Sequence, residues 1–163
     1  VLWVKIGGER ILLGSDLQND SEVAGGWGVI VASKTRPPGK ASAFKIPHHG
    51  SQNAHHSDVW SALLEVNPHS ILTPFAQGNV SLPAKGDIQR IAALTNRAYI
   101  TSPVEHSPKP MKSSGAVNKT IKETVRFIRP VPFSGGQIRL RKVLNPPVSS
   151  EWQVELFPPA YQL

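Results

Sequence analysis

Two stretches decide how this chain is read: Ile11-Leu12-Leu13-Gly14-Ser15-Asp16 and, further along, Lys45-Ile46-Pro47-His48-His49-Gly50-Ser51. Each is a short apolar run that ends in side chains able to bind a metal ion, with a glycine beside the ligand to allow close backbone approach. If both runs are strands of one α/β layer, their ends meet at one edge of a sheet, where open α/β folds gather their ligands. A carboxylate can bridge two divalent ions, and a neutral imidazole suits zinc or manganese.

The flanking sequence supports an α/β layer. Residues 1–6 and 10–13, joined by Gly7-Gly8-Glu9, read as a strand hairpin. The stretch from Asp20 to Lys40 reads as irregular, with a short strand at 27–32, and 43–46 is a strand that Pro47 ends. Ser57-Asp58 form an N-cap and first turn for a helix presenting Val59, Trp60, Leu63 and Leu64, stopped by Asn67-Pro68. A buried strand at 69–75, a helix from about Gly86 to Thr95 and a strand at 98–101 follow. Residues 101–116, rich in Pro, Ser and Lys, read as a loop, and 117–128 as a basic helix. Residues 137–143 and 152–156 alternate apolar and polar positions around Asn145-Pro146-Pro147, a closing hairpin. Strands alternating with helices at this spacing indicate an α/β arrangement, and there is no internal repeat.

Composition narrows the chemistry. The 163 residues, 39% hydrophobic and 18% charged, suffice for one domain with a real core. No apolar run reaches the roughly 18 residues of a membrane span. With no Cys, any metal must rest on His, Asp and Glu, and the compartment can be reducing or oxidising. The net charge of +7 is concentrated rather than spread. Residues 103–143 hold Lys109, Lys112, Lys119, Lys122, Arg126, Arg129, Arg139, Arg141 and Lys142 against Glu105 and Glu123, and the rest of the chain balances. Such a stretch is ordinary solvated surface or a surface for nucleic acid. The chain opens on Val1, already inside a strand, which reads as a fragment or one half of a split domain.

The order and wording of these motifs resemble the metallo-β-lactamase-fold hydrolases. The branch they resemble contains the C-terminal domain of DNA-uptake (competence) channel proteins and the phosphorylcholine esterases. Residues 1–101 follow that branch's series, including Leu12-Leu13, the His48-His49-Gly50-Ser51 motif and Asn67-Pro68, and residues 137–156 are similar to its final hairpin. The resemblance implies one partial domain over 1–163, the C-terminal half of an αββα sandwich, with a basic Pro/Lys-rich insertion at 102–134. It implies a metal-dependent hydrolase, a phosphodiesterase or nuclease, using zinc or manganese, with two ions in the complete domain. Asp16 takes the bridging-ligand position, and His48 and His49 take metal-ligand and catalytic positions. Ser51 falls on the substrate side, together with the cations Lys109, Lys112, Lys119 and Lys122. The family's His-x-His-x-Asp-His cluster is absent, so the remaining ligands are expected from an upstream half of the domain or a partner chain. Leu82 stands where the family has a His before proline. The alternative is therefore a catalytically degenerate module that binds or regulates.

The other histidines carry less. His55-His56 read as solvated loop residues before a helix, His69 as structural, and His106 as incidental. The inner face of strands 1–6, 10–13 and 43–46 is expected to need a cover, from a second copy, a partner or an upstream segment.

Overall fold

A computed structural model describes residues 1–19, 25–77, 79–104, 114–127, 135–144 and 150–163. Its centre is a six-stranded mixed sheet in the order β1-β2-β3-β4-β7-β10. The strands are β1 (Leu2–Ile6), β2 (Glu9–Leu13), β3 (Ala41–Lys45), β4 (Leu64–Leu72), β7 (Ala98–Ile100) and β10 (Tyr161–Gln162). β2, β3, β4 and β7 run parallel, while β1 and β10 pair antiparallel at the two edges. Two separate hairpins complete the strands, β5 (Phe75–Gln77) with β6 (Val80–Leu82), and β8 (Gln137–Arg141) with β9 (Gln153–Phe157). The chain is thus a mixed α/β structure, as its alternating elements indicate.

Register assigns the two sheet faces. Trp3, Leu12, Phe44, Ser70 and Ala98 lie in one cross-strand row. On that face Leu12, Phe44, Leu72 and Ile100 form the buried core with Trp27 of α1 (Gly26–Ala32) and Ile91 of α2 (Lys85–Leu94). Phe44 meets Trp27 and Trp60 edge-to-face, at ring distances of 6.5 and 5.4 Å. Such pairs add about 0.5–1.5 kcal/mol each beyond burial. The neighbouring rows, with Leu2, Leu13, Lys45, Ile71 and Tyr99, then Val4, Ile11, Ala43 and His69, face the opposite way.

The β8–β9 hairpin covers part of this second face. Trp152 Nε1 donates to Ser42 Oγ at 3.0 Å, and Lys142 pairs with Glu9 at 2.8 Å. Between hairpin and sheet lies a cavity of about 630 Å³ lined by Ile6, Ile11, Leu140, Val143, Leu144 and Trp152. The expectation that these strands need a cover is therefore met in part by the chain's own last hairpin, and Leu2 remains 58% exposed.

Two sequence expectations are corrected. Residues 27–32 form helix α1 rather than a strand, because Trp27, Ile30 and Val31 recur at helical spacing and pack on the core. Their β-branched composition favours a strand locally, and tertiary burial overrides it. The helix beginning at Ser57 is only one π-helical turn, Val59–Leu63, since Leu64 already opens β4. Asn67-Pro68 does not stop a helix. It sits inside β4, where the register jumps from Ala41↔Leu64 to Ala43↔His69. Asn67, at φ 57°, accepts from Thr95 Oγ1 and Asn96 N–H through its side chain, which fastens this irregularity to the end of α2.

Candidate functional site at the carboxyl edge of the parallel strands

The carboxyl ends of β2, β3 and β4 come together, and both decisive motifs are there. Gly14 N–H donates to the Lys45 carbonyl at 2.9 Å, and His48 N–H to the Ser15 carbonyl at 2.9 Å. A side chain on Gly14 would bring its Cβ within 2.8 Å of Pro47 Cβ and 2.9 Å of the Lys45 carbonyl, so only glycine permits this contact. The loop bearing Asp16 and the loop bearing His48 and His49 are thus hydrogen-bonded neighbours.

The backbone here is strained. Ser15, His48 and His49 have φ of 52°, 43° and 55°, and Gly50 continues at 81°. Left-handed conformation costs a non-glycine residue about 1–2 kcal/mol, so three such residues at one edge need an opposing constraint. Arg90 of α2 supplies one, donating to the Gly50 carbonyl at 2.6 Å, to Gln52 Oε1 at 3.0 Å and to Asp87 at 2.8 Å. Asp87 is buried and also accepts from Ala84 N–H at the start of α2. The turn is thereby tied to a packed helix.

Both imidazoles are held by Nδ1. His49 Nδ1 lies 2.9 Å from the Thr73 carbonyl, which can only accept, so Nδ1 carries the proton. Its ring stacks on Phe75 at 5.1 Å. His48 Nδ1 lies 3.1 Å from Asn53 Oδ1, and Asn53 Nδ2 donates to Gln18 Oε1, which makes Oδ1 the acceptor and His48 Nδ1 the donor. In the neutral form both rings therefore keep the lone pair on Nε2. That is the state in which a histidine binds a metal or accepts a proton.

The donor types suit a divalent ion, yet they do not complete a site. Among the described residues no group of three or more His, Cys, Asp or Glu side chains could hold a metal. Asp16 is exposed, and the two imidazole centroids are 6.2 Å apart. Leu82, in the position where the resemblance calls for an imidazole, pairs across β5–β6 with Phe75, so the side of His49 is apolar. Ser51 follows the turn, half-buried, and lines a small cavity with Trp27, His55, His56 and Arg90.

The proposed substrate cations divide. Lys119 and Lys122 are exposed on α3 (Gly115–Thr124), whereas Lys109 and Lys112 lie outside the described residues, as does His106, which reads as incidental in the sequence. Of the nine cations of the basic stretch, three are paired among the described residues, Arg139 and Arg141 with Glu155 and Lys142 with Glu9. His55 is pushed below its ordinary value by burial, then by the charges of Arg90 and His56. His69 is buried on the second face of the sheet, opposite Ala43, and stacks on Tyr99.

The sequence singles out Asp16 and the histidine pair but not their supports. Asn53, Arg90 and the Thr73 carbonyl come from three other segments of the chain, and only the His-His-Gly-Ser wording could have prompted a search for them. No family model, curated protein or solved structure matches this chain. No helix among the described residues is long and apolar enough to cross a membrane.

Proposed function

We propose that this chain carries part of the active centre of a metal-dependent phosphodiesterase or nuclease with a metallo-β-lactamase fold. The remaining ligands come from an upstream segment or a partner chain. The observation that carries the reading is the pair of imidazoles anchored by Nδ1 on left-handed backbone, beside the Asp16 loop, at the carboxyl edge of the parallel strands. A second observation agrees with a half-sandwich: the core helices lie on one face of the sheet, while the other face is apolar and only partly covered.

Asp16 and the Nε2 atoms of His48 and His49 are the groups that would hold zinc or manganese. A bound divalent ion supplies Lewis acidity at a phosphoryl oxygen. The chain's own residues orient the rings: Thr73 and Asn53 fix the tautomers, Phe75 fixes the plane of His49, and Arg90 holds the turn. An imidazole not engaged by metal gives a proton to the leaving oxygen only from its protonated form, through Nε2–H, because Nδ1–H is held by Asn53 in His48 and by the Thr73 carbonyl in His49.

Leu82 beside Phe75 favours the second reading, a fold retained for binding with hydrolysis lost. One experiment separates the two. Full-length protein, together with the partner chain where that chain holds the remaining ligands, is loaded with zinc or manganese and assayed on bis(p-nitrophenyl) phosphate and on single-stranded DNA. Under the hydrolase reading Asp16→Asn, His48→Ala and His49→Ala each lower kcat/KM about 100-fold or more. Absence of activity in the parent, or parental activity in all three variants, rejects it.

A further inference from the structure

We propose that Lys45 is an anion-contacting residue of the carboxyl-edge site, placed to hold a non-bridging oxygen of a phosphate group. Its position is unusual for a lysine. It ends β3 in the interior of the sheet, directly between Leu13 of β2 and Ile71 of β4, on an otherwise apolar row. It is half-buried there, and the desolvation lowers its pKa below the ordinary lysine value, with the Asp16 charge pulling the other way.

The ammonium group does not run out along the sheet to a carboxylate. It turns forward to the Ile46 carbonyl at 3.3 Å, toward the loop that carries His48 and His49. The four ion pairs among the described residues are Arg90–Asp87, Arg139–Glu155, Arg141–Glu155 and Lys142–Glu9, and none includes it. A lysine has three donors, and a desolvated cation with one long hydrogen bond to a neutral carbonyl is poorly compensated. An anionic oxygen at the same edge supplies the missing acceptor and charge. The backbone carbonyl of Lys45 accepts from Gly14 N–H, so the residue is fixed to the Asp16 loop from its other side. A neutral ester or amide would leave this cation with only the Asp16 charge, which forms no ion pair with it, so Lys45 favours phosphate-containing substrates.

The choice of substrate rests on the hydrolase reading above, whereas anion binding is read without hydrolysis. Inorganic phosphate is titrated calorimetrically into metal-free full-length protein, the parent and the variants Lys45→Met, Lys45→Arg and Asp16→Asn. The expected result is one saturable site, weakened at least about 10-fold in Lys45→Met, kept within about threefold in Lys45→Arg, and unchanged or tightened in Asp16→Asn. No saturable binding by the parent, or equal binding by Lys45→Met, overturns the proposal. Acetylation of Lys45 in the parent, read by mass spectrometry, needs no variant: phosphate should protect it, and equal modification with and without phosphate also overturns the proposal. Lys45-dependent phosphate binding without hydrolysis of bis(p-nitrophenyl) phosphate sinks the hydrolase reading and leaves the anion site standing. Hydrolysis with an unchanged KM in Lys45→Met does the reverse.

Discussion

The two faces of the central sheet are built to different degrees of completion. On one, Leu12, Phe44, Leu72 and Ile100 are at most 2% exposed beneath α1 and α2. On the other, Ile11, Leu13 and Ile71 are half-buried, Leu2 and Ile6 are exposed, and the β8–β9 hairpin spans a cavity rather than filling it. Parallel strands ordinarily have both faces covered, so the contrast shows where this chain's stability resides and where a further layer would add to it. The candidate site lies at the end of those strands, clamped by α2 from the finished side.

The contrast is tested most directly by truncation. Phe44→Ala should cost about 3–5 kcal/mol in urea unfolding, because the ring leaves a hole between Trp27 and Trp60. Leu2→Ala, across the sheet and at its edge, should cost about 0.5 kcal/mol or less. Equal losses would mean that the second face is as well packed as the first. Arg90→Met comes next, at about 2–4 kcal/mol, since it leaves buried Asp87 without its cation and frees the Gly50 carbonyl. A loss below about 1 kcal/mol would remove Arg90 from the support of the turn.

Acidification probes the less finished face at His69. His69 is held below its ordinary value of 6.5, first by burial and then by Arg97, with Glu151 opposing and Lys142 adding to the effect. A lowered folded-state pKa means that the unfolded chain binds the proton more readily. Stability is therefore full above about pH 6.5 and falls as pH drops below it, with His55 contributing in the same direction. His69→Phe, which keeps a ring against Tyr99, should make that decline shallower. An unchanged slope across pH 7 to 5 would exclude His69 as a source. At the site itself, His48→Gly should be more stable than His48→Ala by about 1 kcal/mol, because glycine relieves the left-handed φ that alanine keeps. Both variants should be equally inactive.

How far the sequence foretold this arrangement depends on where each determinant lies. β2, β3, α2, β7 and the β8–β9 hairpin were legible because apolar period and Gly or Pro punctuation agree within each element. α1 was misread because Trp27-Gly28-Val29-Ile30-Val31 has strand composition, and only its packing against Phe44 shows which period is used. The Asn67-Pro68 irregularity was misread because the bonds that hold Asn67 come from Thr95 and Asn96. At the site, the ligand-type residues were visible in two short motifs. Their ring orientations were not, since these depend on Asn53, Thr73 and Arg90, whose roles arise only when separate elements meet.

The missing side chain of Gly14 has a mechanical meaning. With Pro47 and the Lys45 carbonyl pressed against its Cα, the ends of β2 and β3 cannot slide or tilt independently. A displacement at Asp16 reaches the His48 backbone through two consecutive hydrogen bonds, Gly14 N–H to the Lys45 carbonyl and His48 N–H to the Ser15 carbonyl, so a force that moves one loop also loads the other.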